Sequence, residues 1–125
     1  MQGAPGGPPA GVERGALLNL LGLAARARAL VHGTDAARNA ARDGKLAGAV
    51  VAADASPTQA RKLVPLLEAR GIPFAVCLTR DDLGGAIGKG AVSAVGIVDR
   101  NFAGRLMELA AALPQSQDRA GGEQA

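Results

Sequence analysis

The sequence predicts an α/β fold in which a single sheet is covered by helices on both faces. Segments with helical spacing of apolar residues alternate along the chain with short, almost wholly apolar runs, such as residues 48–52 and 92–98. Strands with so few polar positions are typical of a sheet that is buried on both sides. The chain has 125 residues, of which 48% are hydrophobic, and this is enough for one domain of ordinary size.

The chain starts with a Gly/Pro-rich segment, residues 1–10, which predicts a disordered arm ahead of a folded domain over residues 11–113. Leucines and alanines three or four positions apart predict the first helix over residues 12–28. A very short extended segment, residues 30–31, follows this helix and ends at Gly33.

The second helix and the first long strand come next. Thr34 or Asp35 is suited to cap the helix N-terminus, because both side chains can accept a hydrogen bond from a free backbone N–H group. The helix is expected to run to Asp43 and to end before Gly44, a residue type favoured just past a helix C-terminus. The apolar residues 48–52 then predict a buried strand.

A third helix has clear boundary signals. Ser56 is suited to the N-cap and Pro57 to the first helical position, where the missing N–H group of proline costs nothing. The helix is expected to reach Arg70 and to end at Gly71, with an internal Pro65 that could bend it.

The next elements are a buried strand over residues 73–78, a short helix from Arg80 to about Ile87 capped by Thr79, and a further strand over residues 92–98. The order of elements is therefore helix and strand in alternation, as the α/β class requires.

The last helix is expected to begin at Asp99 or Asn101 and to run through Leu113, because either residue can serve as its N-cap. The polar segment 114–125 begins with a proline that cannot continue the helix, and it predicts a disordered tail.

The charge and the aromatic content limit the classes of function that fit this sequence. The formal net charge is +3, and five of the basic side chains fall within twenty residues, at Arg26, Arg28, Arg38, Arg42 and Lys45. A basic surface of this kind fits a polyanionic partner. The chain has two aromatic residues, Phe74 and Phe102, both expected in the core, so domains that stack bases on a sheet of aromatic side chains are disfavoured.

Several other site types are also disfavoured. Cys77, the single cysteine, lies in an apolar strand and is expected to be a buried, inert thiol, which fits a reducing, cytoplasmic location. His32 has no partner motif for catalysis. The aspartates at helix starts are expected to act as caps rather than as metal ligands. The segment around Gly88 and Lys89 lacks the glycine spacing of a nucleotide-binding loop. We therefore expect no enzyme activity, no cofactor, no small-molecule substrate and no membrane partner.

Four stretches of the sequence carry a resemblance to a known family. They are LLGLAARARALVHGTDAARNAARDGKLAGAVVAADASP, RGIPFAV, DDLGGAIGKGAVSAVGIVD and NFAGRLMEL, and together they extend from Leu17 to Leu109. In order and spacing they resemble the kink-turn-binding ribosomal proteins, the archaeal "L-seven-Ae" and eukaryotic "L-thirty-e" group, and within that group the small bacterial YlxQ-type branch.

The resemblance implies a three-layer α/β/α sandwich with a mixed four-stranded sheet. It also implies that structured RNA, including ribosomal RNA or a kink-turn, is bound by the loop entering the second helix, by that helix's first turn and by the glycine-rich loop before the last strand. The positions concerned, with the nearby basic residues, are Arg28, His32, Gly33, Thr34, Asp35, Arg38, Asn39, Arg42, Lys45, Gly88, Lys89, Gly90, Ala91 and Val92. Apolar residues from Gly90 to Val92 are expected to pack on an extruded base.

The sequence departs from the family pattern at the start of the second helix. Family members that bind kink-turns strongly carry Asn-Glu-x-x-Lys after Gly-Thr, and the matching residues here are Asp35, Ala36 and Asn39. The glutamate that accepts from a guanine edge and the lysine are both absent. A good bidentate base contact contributes roughly 1–3 kcal/mol to discrimination, so these changes weaken the expected kink-turn specificity.

The sequence-based prediction is an RNA-binding accessory protein of the ribosome or translation apparatus. Two alternatives stay open. A protein-interaction module that keeps the fold without kink-turn recognition would also fit Ala36 and Asn39. A small enzyme is the third possibility, supported by nothing beyond the α/β architecture, and a fold does not by itself imply a function.

Overall fold

The computed structural model describes residues 10–113, which form five helices and four strands. In chain order these are α1 (Ala10–Arg26), β1 (Leu30–His32), α2 (Thr34–Arg42), β2 (Gly48–Val51), α3 (Pro57–Ala69), β3 (Phe74–Val76), α4 (Arg80–Ala86), β4 (Ala94–Ile97) and α5 (Arg100–Ala111). The strands form one sheet in the order β1-β4-β2-β3. Strand β4 is antiparallel to β1 and β2, whereas β2 and β3 are parallel, so the sheet is mixed, as expected.

Helices cover both faces of this sheet, and the predicted three-layer α/β/α sandwich is confirmed. One core lies between the sheet and helices α1, α4 and α5, and it includes Leu21, Leu83 and Leu106, all fully buried. The other core lies between the sheet and helices α2 and α3. Successive side chains of a strand point to opposite faces, and accordingly Val50 joins the first core while Val51 joins the second.

Three helices begin at the residues that the sequence predicts. The Ser56 hydroxyl accepts a hydrogen bond from the Gln59 N–H group at 3.2 Å, with Pro57 as the first residue of α3. Thr79 caps α4 in a capping box with Asp82, in which each side chain accepts from the other residue's backbone N–H group. Asp99 caps α5 by accepting from the Phe102 N–H group at 3.0 Å, which decides between Asp99 and the alternative Asn101.

The predicted N-cap of α2 is wrong. Neither Thr34 nor Asp35 caps the helix. The N-cap residue is Gly33, which makes no side-chain cap hydrogen bond. Thr34 is already helical and only 6% exposed, because β1 ends at His32 and the chain turns into the helix at Gly33. Gly33 has a φ of 95° and a ψ of 148°, a conformation that L-residues with a side chain rarely adopt.

Four helices end in the same hydrogen-bonded turn. In each, a residue with positive φ donates its N–H group three residues back, and the next residue donates five residues back, the pattern of a Schellman motif. Glycine occupies the positive-φ position after α2, α3 and α4, at Gly44, Gly71 and Gly88. After α1 the position is held by Arg28, with φ 59°, and an L-residue with a side chain is less stable there than glycine.

The remaining boundaries agree with the sequence to within a few residues. Helix α1 begins at Ala10, inside the segment expected to be disordered, and α3 continues through Pro65. The rest of the predicted arm and the predicted tail, residues 1–9 and 114–125, lie outside the described part of the chain. Within residues 10–113 no helix is long and apolar enough to cross a membrane.

Candidate nucleic-acid interface

Strand directions bring the predicted binding segments to one end of the sheet. Because β4 is antiparallel to β1 and β2, its N-terminal end lies beside the C-terminal ends of both. The Gly33 N–H group donates to the Ala94 carbonyl at 2.8 Å, and the Ala52 N–H group donates to the Ser93 carbonyl at 2.8 Å. The loop that enters α2 and the loop that enters β4 are therefore neighbours. We call this end of the sheet the Gly33 edge, formed by residues 32–36, 52–54 and 88–92.

The N-terminus of α2 is open at the Gly33 edge. Among α2, α3, α4 and α5, the helices whose N-cap is described, α2 alone has no side-chain cap. The first N–H groups of a helix have no partner within the helix and carry the positive end of its dipole. The carbonyl of Gly33 accepts from Ala37 at 3.0 Å, so the helix is well formed up to its first turn. The first-turn N–H groups are thus available to a phosphate.

The glycine-rich loop, residues 88–92, is held against helix α4. The Lys89 N–H group donates to the Gly84 carbonyl at 2.7 Å. A Cβ atom placed on Gly84 would overlap the Gly90 carbonyl oxygen and lie 2.5 Å from the Gly90 carbonyl carbon. Such close backbone approach needs glycine at position 84. The packing fixes the loop and leaves Lys89 exposed at its tip.

One predicted contact of this loop needs correction. Val92 was expected to help pack on an extruded base, but its side chain is 8% exposed and belongs to the core formed with α1, α4 and α5. Its N–H group donates to the Arg80 carbonyl at 3.1 Å, which ties this end of the loop to the start of α4. Gly90 and Ala91 are exposed, so Ala91 is an apolar side chain of this loop that solvent can reach.

Ion pairs neutralise much of the charge around the Gly33 edge. Asp35 lies 4.0 Å from the Lys62 ammonium group, and Asp54 lies 3.6 Å from Nε of Arg80. The Asp54 carboxylate also accepts a hydrogen bond from the backbone N–H group of Arg80 at 2.8 Å. This bond joins the loop after β2 to the start of α4. Lys89 has no such pair among the described residues, so its positive charge is left for a ligand.

The other predicted residues of α2 and β1 differ in their exposure to solvent. His32 and Asn39 are exposed, and Arg38 is half-buried. The Nε atom of Arg38 is buried without a hydrogen-bond partner among the described residues. Ala36, which stands where the family carries glutamate, is half-buried and has no polar group to read a base.

Comparison with known proteins agrees with this architecture. Residues 15–106 match the model of the ribosomal protein L7Ae/L30e/S12e/Gadd45 family. The chain belongs to that family. The RNA-binding protein YlxQ of Bacillus subtilis (strain 168) is 34% identical over 90 residues, which cover 72% of this chain and 90% of that protein. The resemblance seen in the sequence is thereby confirmed.

Two solved structures have the same fold. A protein of unknown function from Bacillus halodurans C has a TM-score of 0.73 and 35% identity, covering 76% of this chain and 96% of that one. A 15.5 kD RNA-binding protein of Giardia lamblia has a TM-score of 0.68 and 24% identity, covering 89% of this chain and 96% of its own. At that lower identity the second likeness concerns the fold alone.

The structure does not bring all the predicted basic residues of this family member together. Arg28, Arg42 and Lys45 were grouped with the Gly33 edge because they are close in sequence. Helix α2 starts at the Gly33 edge and runs away from it, so Arg42 and Lys45 lie at the opposite end of the sheet. Arg28 lies there too, because the carbonyl of its neighbour Ala29 accepts from Val98, just beyond the C-terminal end of β4.

Two further basic residues at that opposite end were not recognised in the sequence. Arg70 follows α3 and donates to the Arg42 carbonyl at 3.4 Å. Arg100 begins α5 and lines a shallow groove with Ala47 and Pro73, the residues just before β2 and β3. Since α2 and α3 start at the same sheet edge, charges at their C-termini are neighbours, and this relationship depends on the sheet topology and has no signal in the sequence.

The described residues show no arrangement suited to catalysis by a metal or a thiol. No group of three or more His, Cys, Asp or Glu side chains within residues 10–113 is placed to hold a metal ion. Cys77 is 3% exposed, and burial raises the pKa of its thiol from 9.0 to about 11. A thiol with so high a pKa is protonated at neutral pH and is a poor nucleophile, so the predicted inert role is supported.

Proposed function

We propose that this protein binds structured RNA through the Gly33 edge. The observation that carries the proposal is the uncapped N-terminus of α2 placed beside the Lys89 loop. The helix supplies free N–H groups and a positive dipole end, and the loop supplies the Lys89 ammonium group, which has no ion pair within residues 10–113. Membership of the L7Ae/L30e/S12e/Gadd45 family and the likeness to the RNA-binding protein YlxQ support the same partner.

Within this interface, phosphate contacts position the RNA and few groups read its bases. Lys89 and the first turn of α2 bind phosphates, while Ala91 packs on an extruded base. Asn39 and His32 are the exposed polar side chains available for base edges. Phosphate contacts carry no sequence information, so recognition rests on the shape of the RNA more than on its sequence.

The kink-turn is the RNA shape that we propose for this site, with reduced discrimination. Ala36 and Asn39 replace the glutamate and lysine of strongly binding relatives, which removes two specific contacts of roughly 1–3 kcal/mol each. Asp35 adds a negative charge at the helix start, although Lys62 lies 4.0 Å from it. We therefore propose an accessory role on ribosomal RNA or in translation, in the cytoplasm, in which the backbone geometry of a bend is recognised.

The test is a titration of the protein against a labelled kink-turn RNA, with a plain duplex of equal length as control, at about 0.1 M salt. Tighter binding to the kink-turn supports the proposal. Equal and salt-sensitive binding to both would leave RNA binding but exclude bend recognition. No binding to either RNA would refute the proposal and favour a protein-interaction module.

Substitutions locate the interface. Lys89→Ala removes the exposed ammonium group of the loop and should reduce the dependence of log Kd on log salt by about 0.7–0.9, the value for one phosphate contact. Arg105→Ala is the matched control, because this exposed residue lies in the middle of α5, away from the Gly33 edge. Equal effects of the two substitutions would place the RNA elsewhere.

A further inference from the structure

The opposite end of the sheet presents a concentration of basic side chains. All five are exposed: Arg28, Lys45 and Arg70 follow helices α1, α2 and α3, Arg42 is the last residue of α2, and Arg100 is the first residue of α5. We call these five residues the Lys45 end. Exposed basic side chains on a protein surface are usually only solvated. The ion pairs and backbone conformation around these five residues therefore decide whether the surface binds a ligand.

The cations of the Lys45 end lack the ion pairs seen elsewhere. Among the described residues, the ion pairs are Arg14–Asp82, Lys62–Asp35 and Arg80–Asp54, and none involves this end. The acidic residues nearby are Asp43, Glu68 and Asp99, and Asp99 is engaged as the N-cap of α5. The two ends of the sheet therefore differ: carboxylates near the Gly33 edge are paired with cations, whereas the Lys45 end keeps its positive charge unpaired.

The backbone supplies a second observation. The turn after α1 is the same as the turns after α2 and α3, where Gly44 and Gly71 hold the positive-φ position. Arg28 holds it after α1 with φ 59°. An arginine in this conformation is less stable than a glycine, and its side chain is exposed without an ion pair. The residue thus lowers stability while adding a cation to the Lys45 end.

We infer that the Lys45 end is a second RNA-binding surface, which contacts the phosphate backbone of another RNA segment. Helix α2 spans the distance between the two surfaces, and its nine residues correspond to about 13 Å. The protein then holds two segments of a folded RNA at opposite ends of its sheet. This inference rests on the proposed RNA binding at the Gly33 edge, but it concerns different residues and can fail separately.

The surface itself is tested by the double substitution Arg42→Ala, Lys45→Ala. Two phosphate contacts are lost, so the slope of log Kd against log salt should decrease in magnitude by about 1.4–1.8, with affinity reduced roughly five- to fiftyfold. The matched control for each single substitution, Arg42→Ala or Lys45→Ala, is Arg105→Ala, which removes one charge from an exposed position within α5. If the control has the same effect as each single substitution, net charge alone explains binding and the inference is overturned.

Arg28→Gly separates binding from folding. Glycine relieves the positive-φ conformation, so the free energy of unfolding should stay the same or increase, while RNA affinity should decrease severalfold. A weaker-binding variant that is no less stable cannot be explained by misfolding. Unchanged affinity for this variant and for the Arg42, Lys45 double variant would overturn the inference.

Stoichiometry tests whether the two surfaces act together. Native mass spectrometry of the full chain with an excess of a short plain RNA duplex should show two duplexes bound per protein. The double variant at Arg42 and Lys45 should bind one, and adding Lys89→Ala should weaken that one. A wild-type protein that binds a single duplex, with binding lost through Lys89→Ala alone, would overturn the inference and leave the proposed function standing. No duplex bound at all would overturn the inference alone, because the proposed function is tested with the kink-turn RNA and not with a plain duplex.

Discussion

A matched pair of glycine substitutions in helix α4 tests the packing that positions the Lys89 loop. Gly84 and Gly85 are adjacent helical residues, but their surroundings differ. A Cβ atom on Gly84 would overlap the Gly90 carbonyl oxygen and lie 3.0 Å from the Lys89 carbonyl oxygen, whereas a Cβ atom on Gly85 would have nothing within 4 Å. Alanine at either position therefore changes the helix propensity by the same amount, but only alanine at position 84 disturbs the contact with the loop.

The expected difference follows from these contacts. To accept Gly84→Ala, the loop backbone must move by roughly 1 Å or more, since carbon atoms in contact lie about 3.5–4.0 Å apart. Overpacking of this kind costs about 1–3 kcal/mol, and the 2.7 Å hydrogen bond from Lys89 to Gly84 contributes about 0.5–1.5 kcal/mol. Gly84→Ala should thus be about 2–4 kcal/mol less stable than Gly85→Ala, which gains up to ~1 kcal/mol from helix propensity.

Urea unfolding followed by far-UV circular dichroism measures this difference, because the chain has neither Trp nor Tyr for fluorescence. With a urea m-value of about 1–3 kcal/mol/M, the two midpoints should differ by roughly 0.7–4 M. Gly84→Ala should also weaken RNA binding, since it displaces Lys89. Equal midpoints for the two variants would refute the close packing of the loop on α4.

Two further substitutions test other parts of the structure. Gly33→Ala meets no steric obstacle but places a side chain at φ 95°, so it should cost about 1–3 kcal/mol and weaken RNA binding; a fully stable variant would contradict this backbone conformation. Burial raises the pKa of Cys77 from 9.0 to about 11, so the unfolded chain releases this proton first and stability should fall as pH rises from about 9 to 11. That decrease should be absent from Cys77→Ala, and equal pH profiles for both proteins would show that the thiol is not buried.

The sequence predicted those features of the fold that depend on neighbouring residues. The sequence identifies Ser56 and Thr79 as helix caps, and Asp99 as one of two candidates, because a cap needs a polar side chain shortly before the N–H group it binds. Strand β2 was recognised by its continuous apolar residues, which reflect helices on both faces. The arrangement of these elements in a mixed sheet came from the family resemblance, and the structure confirmed it.

Two errors show where local information is insufficient. Thr34 and Asp35 have the residue types of an N-cap, but Gly33 takes that position because β1 pairs with β4 up to the start of the helix. The family resemblance implied that Val92 packs on a base, yet its side chain belongs to the core. In both cases contacts with residues far away in the sequence decide the outcome.

The sequence by itself determined the order of elements, most of their boundaries and the residue types of the proposed RNA interface. Tertiary structure alone decided how the basic residues are divided between the Gly33 edge and the Lys45 end. Arg38, Arg42 and Lys45 are close in sequence, but a helix rises about 1.5 Å per residue, so its two ends lie at opposite ends of a short sheet. Arg70 and Arg100 join Lys45 because the strands and helices that precede them all end there, and chain direction in space cannot be derived from residue spacing.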